Sequence, residues 1–302
     1  MHVHVVGNGA GGSGCWLSVR GWHRLLAALM LRHVGLPQAA LRGDLERLYV
    51  ERLLELVRGS SLGAVVILAQ DLVRDEQGRA VNGAGSFYVP NDYVLGLARQ
   101  HKEFLPAVSI HPARPDAMEE LERCLDAGAV MMKCLPNCQH IDCNDRRFTR
   151  FWERMAEAKL PLLAHTGGEH TVPLECGVTV IAAHCGTKSG LWDPEYFHVF
   201  AGMTRRFPNL YGDASAFNVP FRGRHVPECR REPLRERIVH GSDFPVPVHG
   251  HFAWLRGTVD WKSFRRWERH PNILERDYQL KLAMGFPAET FTRIHRLLRL
   301  KA

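Results

Sequence analysis

Short apolar runs rich in valine, isoleucine and leucine alternate along this chain with segments whose apolar positions recur at helical spacing. The apolar runs predict strands over 2–6, 64–69, 104–110, 129–135, 161–165, 178–184, 210–214 and 237–241. The segments between them predict helices over 44–58, 115–126, 147–158, 193–205 and 287–300. Repeated strand–helix units indicate a parallel sheet, and eight of them favour an α/β fold closed into a (β/α)8 TIM barrel over an open sheet.

Two connections, 7–36 and 71–90, are longer than ordinary links between a strand and a helix. The first begins with glycines and continues into an apolar helix predicted over 22–34. It is therefore interpreted as a long insertion after strand one that forms a lid or rim, and the second connection is expected to cap the same rim. One face of the 22–34 helix is available for contact between copies of the chain in a homo-oligomer.

The composition is that of one globular domain. The chain has 302 residues, of which 45% are hydrophobic and 24% charged, so a single domain over 1–302 has enough apolar residues for a large core. The sequence shows neither an uninterrupted apolar run of membrane-spanning length nor a secretory signal pattern. Its eight cysteines are scattered, as is typical of reduced thiols. These features predict a cytoplasmic protein with no membrane partner.

The net charge of +7 would suit either nucleic acid or an anionic small molecule. Arginines are frequent between 222 and 237, but Pro227 and Pro233 interrupt this stretch, which argues against a continuous basic helix in a DNA groove. The sequence therefore predicts a small-molecule substrate rather than nucleic acid. The arginines of this stretch either form a solvated surface, or one or two of them face the substrate.

Histidines and one aspartate mark the strands where chemistry is expected. His2 and His4 point to one face of the first strand because strand side chains alternate. His165, His184 and Asp243 each come at or just after the end of a later strand, with a glycine or proline close behind. Since barrel active sites lie at the carboxyl ends of the strands, these side chains are expected to converge there.

Such a set suits a divalent cation. Zinc binds imidazole nitrogen and carboxylate oxygen, and a catalytic zinc keeps a position open for water. His2, His4, His165 and Asp243 supply these ligands, with manganese as the alternative metal. Water on such a cation loses its proton near neutral pH, and Asp243 is placed to accept that proton and deliver it to a leaving group.

The motifs around these residues resemble a known family. The H-x-H of strand one, LLAHTGG around His165, IAAHCG around His184 and HGSDFP around Asp243 follow one another in the order typical of the amidohydrolase superfamily, specifically its amidohydrolase-related branch. The resemblance implies that His2, His4, His165 and Asp243 bind the catalytic metal. It also implies that His184 either binds a second metal or polarises the substrate. The branch includes hydrolases and metal-dependent decarboxylases similar to aminocarboxymuconate-semialdehyde decarboxylase.

Three further residues have alternative interpretations. Lys133 lies where binuclear relatives carry a carboxylated lysine that bridges two metals, so Lys133 and His184 would be additional ligands if two ions bind. An amine that binds a substrate carboxylate or a neighbouring acid fits Lys133 equally well, and one and two metals both remain open. His111, before Pro112, is assigned either substrate contact or structural hydrogen bonding. Asp213 is expected to hold a neighbouring backbone group or ligand.

The sequence thus predicts a metal-dependent hydrolase that uses metal-activated water on an amide, lactone or ester bond of a small molecule, carboxylated substrates included. Asp243 and His184 are the predicted catalytic residues, and His111 and Lys133 the predicted substrate-binding ones. The first alternative is non-oxidative decarboxylation by the same metal. An alternative of another class is a barrel without turnover that binds an anionic partner, against which the intact metal set argues.

Gly7, Gly9 and Gly12 match the dinucleotide-binding pattern G-x-G-x-x-G. Two histidines occupy the preceding strand, and no acidic residue follows at the distance of about 20 residues that this fold requires. The match is therefore not interpreted as a nucleotide-binding loop.

Overall fold

Eight parallel strands form the central sheet and follow one another across it in chain order. The computed structural model describes residues 1–81, 83–165, 170–188, 190 and 192–300, and for Trp22 and His23 it describes the backbone alone. The strands are β1 (Val3–His4), β2 (Trp16–Leu17), β3 (Val65–Leu68), β4 (Phe87–Tyr88), β5 (Phe104–Val108), β6 (Met131–Cys134), β7 (Leu162–Ala164), β8 (Val180–Ala182), β9 (Leu210–Asp213) and β10 (Ile238–Val239). Each of the eight predicted strands contains one strand of this sheet.

The sheet closes on itself between its first and last strands. Val3 pairs in parallel with Phe244, just beyond β10. The amide of His4 donates to the Phe244 carbonyl (2.8 Å), and the amide of Asp243 donates to the His2 carbonyl (2.8 Å). The predicted α/β barrel is therefore confirmed, and its closure places Asp243 beside the first strand.

Helices surround the strands. They are α1 (Trp22–His33), α2 (Leu45–Arg58), α3 (Asn91–Gln100), α4 (Ala117–Asp126), α5 (Pro136–Gln139), α6 (Thr149–Glu157), α7 (Thr171–Glu175), α8 (Phe197–Arg206), α9 (Val226–Cys229), α10 (His251–Leu255), α11 (Trp261–Trp267), α12 (Ile273–Ala283) and α13 (Ala288–Thr292). The helix predicted over 287–300 is shorter than expected, because α13 passes into a 3-10 turn over Arg293–Arg296. No helix among the described residues is long and apolar enough to cross a membrane.

Alternation along the strands separates two apolar layers. The layer inside the barrel includes Val66, Leu68, Met131, Leu163, Ile181 and Val239. The layer between the strands and the outer helices includes Val108, Met132, Cys134, Leu162, Val180 and Trp152. On β6, Met131 thus faces inward and Met132 outward, so the next residue, Lys133, faces the barrel interior.

The two long connections meet over one rim of the barrel. β2, in the first connection, pairs antiparallel with β4, in the second, through Trp16 with Tyr88 and Leu17 with Phe87. This pairing agrees with the expected shared rim, although neither short strand was predicted. On α1, Leu25 is 63% exposed and Leu29 is 53% exposed. Contact between copies of the chain through this face stays a prediction.

Candidate metal centre

Four side chains converge at the carboxyl ends of the strands. His2, His165, His184 and Asp243 each offer a ligand atom, and these atoms all lie within 4.8 Å of one another. The imidazole Nε2 atoms of His165 and His184 are 3.3 Å apart. His2 Nε2 is 3.2 Å from Asp243 Oδ1, and His184 Nε2 is 3.7 Å from Asp243 Oδ2. We call these four residues the ring.

His4 lies at the edge of the ring. Its Nε2 is 3.5 Å from Asp243 Oδ1, and its imidazole centroid is 5.2 Å from that of His2. The structure therefore brings together His2, His4, His165 and Asp243, which were predicted to bind metal whether one or two ions are present. It also places His184 as close to the centre as the others.

Three ring residues have left-handed backbones, which non-glycine residues rarely adopt. The φ angles are 66° at His2, 54° at His184 and 63° at Asp243. Such a conformation costs on the order of 1–3 kcal/mol per residue and persists only where the surroundings impose it. At His184 the effect of this conformation can be seen. Ile181 and Ala183 face the barrel interior, so regular alternation would point His184 outward. The left-handed turn instead directs the His184 imidazole to the centre of the ring.

Asp213, at the end of β9, holds two of the histidines in place. Its Oδ2 accepts a hydrogen bond from His2 Nδ1 (2.8 Å), and its Oδ1 accepts one from the His184 amide (2.7 Å). His184 Nδ1 in turn donates to the Ser215 carbonyl (3.0 Å). Because these bonds use Nδ1–H, each imidazole presents a bare Nε2 to the centre, which is the tautomer a metal requires.

The ionisation of the ring also suits a cation. Burial lowers the pKa of His2 to about 4 and that of His184 to about 3, and it lowers the pKa of His165 well below its usual value. For Asp243, burial acts to raise the pKa, but the facing imidazoles and Arg222 outweigh it and hold the pKa well below its usual range. Neutral imidazoles and an ionised carboxylate are the ligand forms of these side chains.

The donor set therefore fits a divalent metal. His2 Nε2 is completely buried and has no hydrogen-bond partner among the described residues, although its lone pair points to the centre. A buried polar atom without a partner is costly, and a cation bound by the ring would satisfy it. Three neutral nitrogens and one carboxylate also match the ligands that zinc and similar metals take. The ligand roles themselves stay predictions that this geometry supports.

Arg222 is a member of the site that the sequence did not single out. It follows β9 in a 3-10 turn, is buried, and places Nη1 3.0 Å from Asp243 Oδ2. An arginine facing the substrate was one of the two alternatives for the stretch 222–237, but only the fold shows which arginine reaches the centre. Its charge offsets that of Asp243 and helps to keep the carboxylate ionised.

Lys133 lies inside the barrel and is completely buried. Its Nζ has no hydrogen-bond partner among the described residues, and burial lowers its pKa to about 8. Its charge also contributes, after burial, to the lowered pKa values of His2 and His165. Both interpretations of Lys133, a carboxylated bridge and a free amine, remain proposals.

The hydrogen bonds of the His111 side chain are made to residues outside the ring. Its Nε2 donates to the Gln139 carbonyl (3.0 Å), and its Nδ1 accepts from the Ala113 amide (3.2 Å). Both imidazole nitrogens of His111 are thus hydrogen-bonded to protein groups, because the segment after β6 folds back over this histidine. Of the two roles considered for His111, the geometry favours structural hydrogen bonding over substrate contact.

A second group of potential ligands lies on the surface. His249 Nδ1 and His251 Nδ1 are 3.0 Å and 3.3 Å from the same Glu268 oxygen, Oε1. The histidine side chains are 46% and 55% exposed, in contrast to the buried ring. Any count of metal per chain must therefore distinguish the ring from this exposed group.

Comparison with known proteins agrees with the fold and the site. A family model described as amidohydrolase matches residues 64–253, more than half of the chain. The combination of a closed barrel with histidines and an aspartate at its strand ends defines an enzyme of the amidohydrolase class. The chain belongs to the amidohydrolase superfamily. No curated protein matches the chain.

Several solved structures share the barrel. An uncharacterized TIM-barrel protein from Bordetella bronchiseptica has a TM-score of 0.54 and 18% identity, over 84% of this chain and 90% of that chain. A probable 2-pyrone-4,6-dicarboxylic acid hydrolase from Acinetobacter baumannii has a TM-score of 0.50 and 12% identity, over 78% and 89% of the two chains. One of the same designation from Pseudomonas putida has a TM-score of 0.52 and 14% identity, over 82% and 86%. At these identities the likeness shows the fold.

Proposed function

We propose that this protein is a metal-dependent hydrolase that cleaves an amide, lactone or ester bond of a small molecule. The observation that carries the proposal is the ring, in which bare imidazole nitrogens and an ionised carboxylate converge at the strand ends. His2, His165, His184 and Asp243 would hold the metal, with His4 beside them. A divalent cation in this position supplies Lewis acidity toward a carbonyl and lowers the pKa of water.

Side chains of the protein carry out the proton transfer and position the reacting groups. Asp243, kept ionised by its neighbours, accepts a proton from the attacking water and passes it to the leaving nitrogen or oxygen. Arg222 holds Asp243 Oδ2 in place from one side, and Asp213 orients His2 and His184 from the other. If a single ion is held by His2, His4, His165 and Asp243 instead, His184 is not a ligand, and its bare Nε2 must gain a proton before it can polarise the scissile carbonyl.

Decarboxylation is the second candidate, and the two buried cations favour it. Arg222 and Lys133 both lie near the ring, where they would attract a carboxylated substrate. Two of the neighbouring structures carry names that refer to hydrolysis of a dicarboxylic acid, which supports a carboxylated substrate for the first candidate, hydrolysis, as well. Release of carbon dioxide, measured alongside hydrolysis products, separates the two reactions.

The decisive experiment is metal content per chain, measured by elemental analysis on protein purified without chelators. The same measurement on a His249→Ala/His251→Ala variant removes the contribution of the exposed group. About one remaining ion per chain supports a mononuclear ring, and about two support a bridging, carboxylated Lys133. Absence of metal after reconstitution with zinc or manganese would overturn the proposal and favour a barrel without turnover. Hydrolysis of small activated esters by the loaded protein then tests the reaction itself.

A further inference from the structure

Two cavities meet at the ring, one with a mainly apolar lining and one whose lining is about half polar. The first, which we call the apolar chamber, has a volume of about 600 Å³ and reaches His4, His165 and Asp243 at its floor. The second, the polar cavity, has a volume of about 260 Å³ and reaches His165 and His184. Leu135 and His165 line both cavities, so the space at the ring is continuous with each.

The walls of the apolar chamber come mainly from the two long connections. The aliphatic and aromatic side chains that form them include Leu17, Leu26, Met30, Leu31, Leu41 and Phe87. Among its polar lining residues, Tyr49 already donates its hydroxyl to the His4 carbonyl (2.9 Å), and Arg20 is exposed. A cavity of this size and lining binds ligands through burial of apolar surface.

The polar cavity is lined by hydrogen-bonding groups. They include Asn137, Thr187, Lys188 and Asp193, from the segments that follow β6 and β8. A ligand group placed there can meet the Asn137 amide and the Asp193 carboxylate, whereas the Thr187 hydroxyl already donates to the His184 carbonyl (2.8 Å). A purely apolar group would displace water from the exposed Asn137 and Asp193 without replacing its hydrogen bonds, which is unfavourable.

We propose that the substrate is amphipathic, with an apolar chain in the chamber, a polar group in the polar cavity, and the scissile bond between them at His165 and Asp243. This inference rests on the proposed hydrolase function and specifies its substrate class. In the reaction, the water hydroxyl bonds to the acyl carbon while the bond from that carbon to the leaving nitrogen or oxygen breaks. The remaining water proton, carried by Asp243, goes to the leaving atom.

Two matched substrate series test the proposal in both orientations. In N-acylglycines, from acetyl to dodecanoyl, the acyl group is apolar and the leaving group polar. In N-alkyl succinamic acids, from methyl to dodecyl, these characters are reversed. We expect kcat/KM in one series to rise by about fourfold per methylene until the chamber is filled, since each buried methylene contributes a constant increment. A flat dependence on chain length in both series would overturn the inference.

A binding measurement provides a readout that is independent of turnover. Dodecanoylglycine and acetylglycine are titrated into the metal-free protein by isothermal calorimetry. We expect dodecanoylglycine to bind at least 100-fold more tightly, with a negative heat-capacity change that marks apolar burial. Equal affinity of the two acids would contradict a chain-binding chamber.

Two variants on α1 locate the effect. Ala27 lines the chamber, so Ala27→Trp is expected to lower the ratio of dodecanoyl to acetyl rates by more than 10-fold. Leu25 is 63% exposed and outside the chamber lining, so Leu25→Trp is the matched control and should leave this ratio unchanged. Equal ratios in the two variants would show that long chains bind elsewhere.

Failure of this inference can be told apart from failure of the proposed function. Turnover of both series without chain-length dependence removes the amphipathic substrate and leaves the hydrolase. Absence of turnover in both series and with small activated esters, in protein shown to hold its metal, removes the hydrolase. In that case tight binding of dodecanoylglycine would still identify the chamber as an apolar ligand site.

Discussion

The ring and the apolar chamber are built on different principles. The ring is made of buried or half-buried side chains at strand ends, and hydrogen bonds that Asp213 and Ser215 accept set the orientation of two of its imidazoles. The chamber is made largely of side chains from connections, including α1, whose outer leucines are exposed. Under the proposed function, the barrel supplies the chemistry and the connections select the substrate, so mutations are expected to affect the two separately.

The largest expected effect is in the ring itself. Asp243→Asn should lower kcat by about 100- to 10,000-fold while metal stays bound, because the amide cannot accept the proton. Steady-state kinetics and elemental analysis on the same preparation check this. Asp126→Asn, on the exposed end of α4, is the matched control and should retain full activity. An unchanged rate in Asp243→Asn would remove Asp243 from the role of proton carrier.

The next effect concerns the support of the ring. Lys281 Nζ donates to the Gly241 carbonyl (2.6 Å) and to Asp277 Oδ2 (2.7 Å), and both side chains are buried. Lys281→Met should lower the free energy of unfolding by about 3–5 kcal/mol, because it leaves a buried carboxylate without its cation. Urea denaturation measures this, with the exposed Lys262→Met changing stability by under about 0.5 kcal/mol. Equal stabilities of the two variants would show that the ion pair does not support the strand end.

A smaller effect is expected from the residue that orients the histidines. Asp213→Asn should weaken metal binding by about 10- to 100-fold, because His2 loses the acceptor that fixes its tautomer. Competition with a chromophoric chelator measures the affinity, and circular dichroism verifies the fold. Unaltered affinity would mean that His2 is oriented without Asp213.

The smallest effect is predicted for the exposed histidines. His249→Ala/His251→Ala should leave hydrolysis within about threefold of the parent rate, because neither residue lines the chamber or the polar cavity and surface changes have small effects. Steady-state rates in metal-supplemented buffer measure this. A loss as large as that of Asp213→Asn would show that the exposed group acts on the reaction.

Much of the barrel could be predicted because it follows from local patterns. Apolar runs and helical spacing located the eight sheet strands, since both report the burial of one face of a local element. The same alternation predicted that His2 and His4 point inward. The strands β2 and β4 escaped prediction because their pairing joins segments about 70 residues apart, which no local pattern reports.

The candidate site was predicted in its members rather than in its geometry. Local motifs identified His165, His184 and Asp243 as candidates. No hydrophobic pattern predicts the left-handed turn that directs His184 inward. The hydrogen bonds of His111 to Gln139 and Ala113 depend on how the segment after β6 folds back. Sequence alone could not decide between its two roles for that reason.

By itself, the sequence determined the succession of strands and helices and the residue types at the strand ends, because these depend on neighbours along the chain. Only the tertiary structure decided that Asp213 meets His2, that Arg222 contacts Asp243 and that two connections enclose an apolar chamber. His2 and Asp213 are 211 positions apart, and they meet because barrel closure brings the first strand back to the edge of the sheet that holds β9 and β10. Contacts of that kind depend on the relative positions of whole elements, which no local pattern encodes.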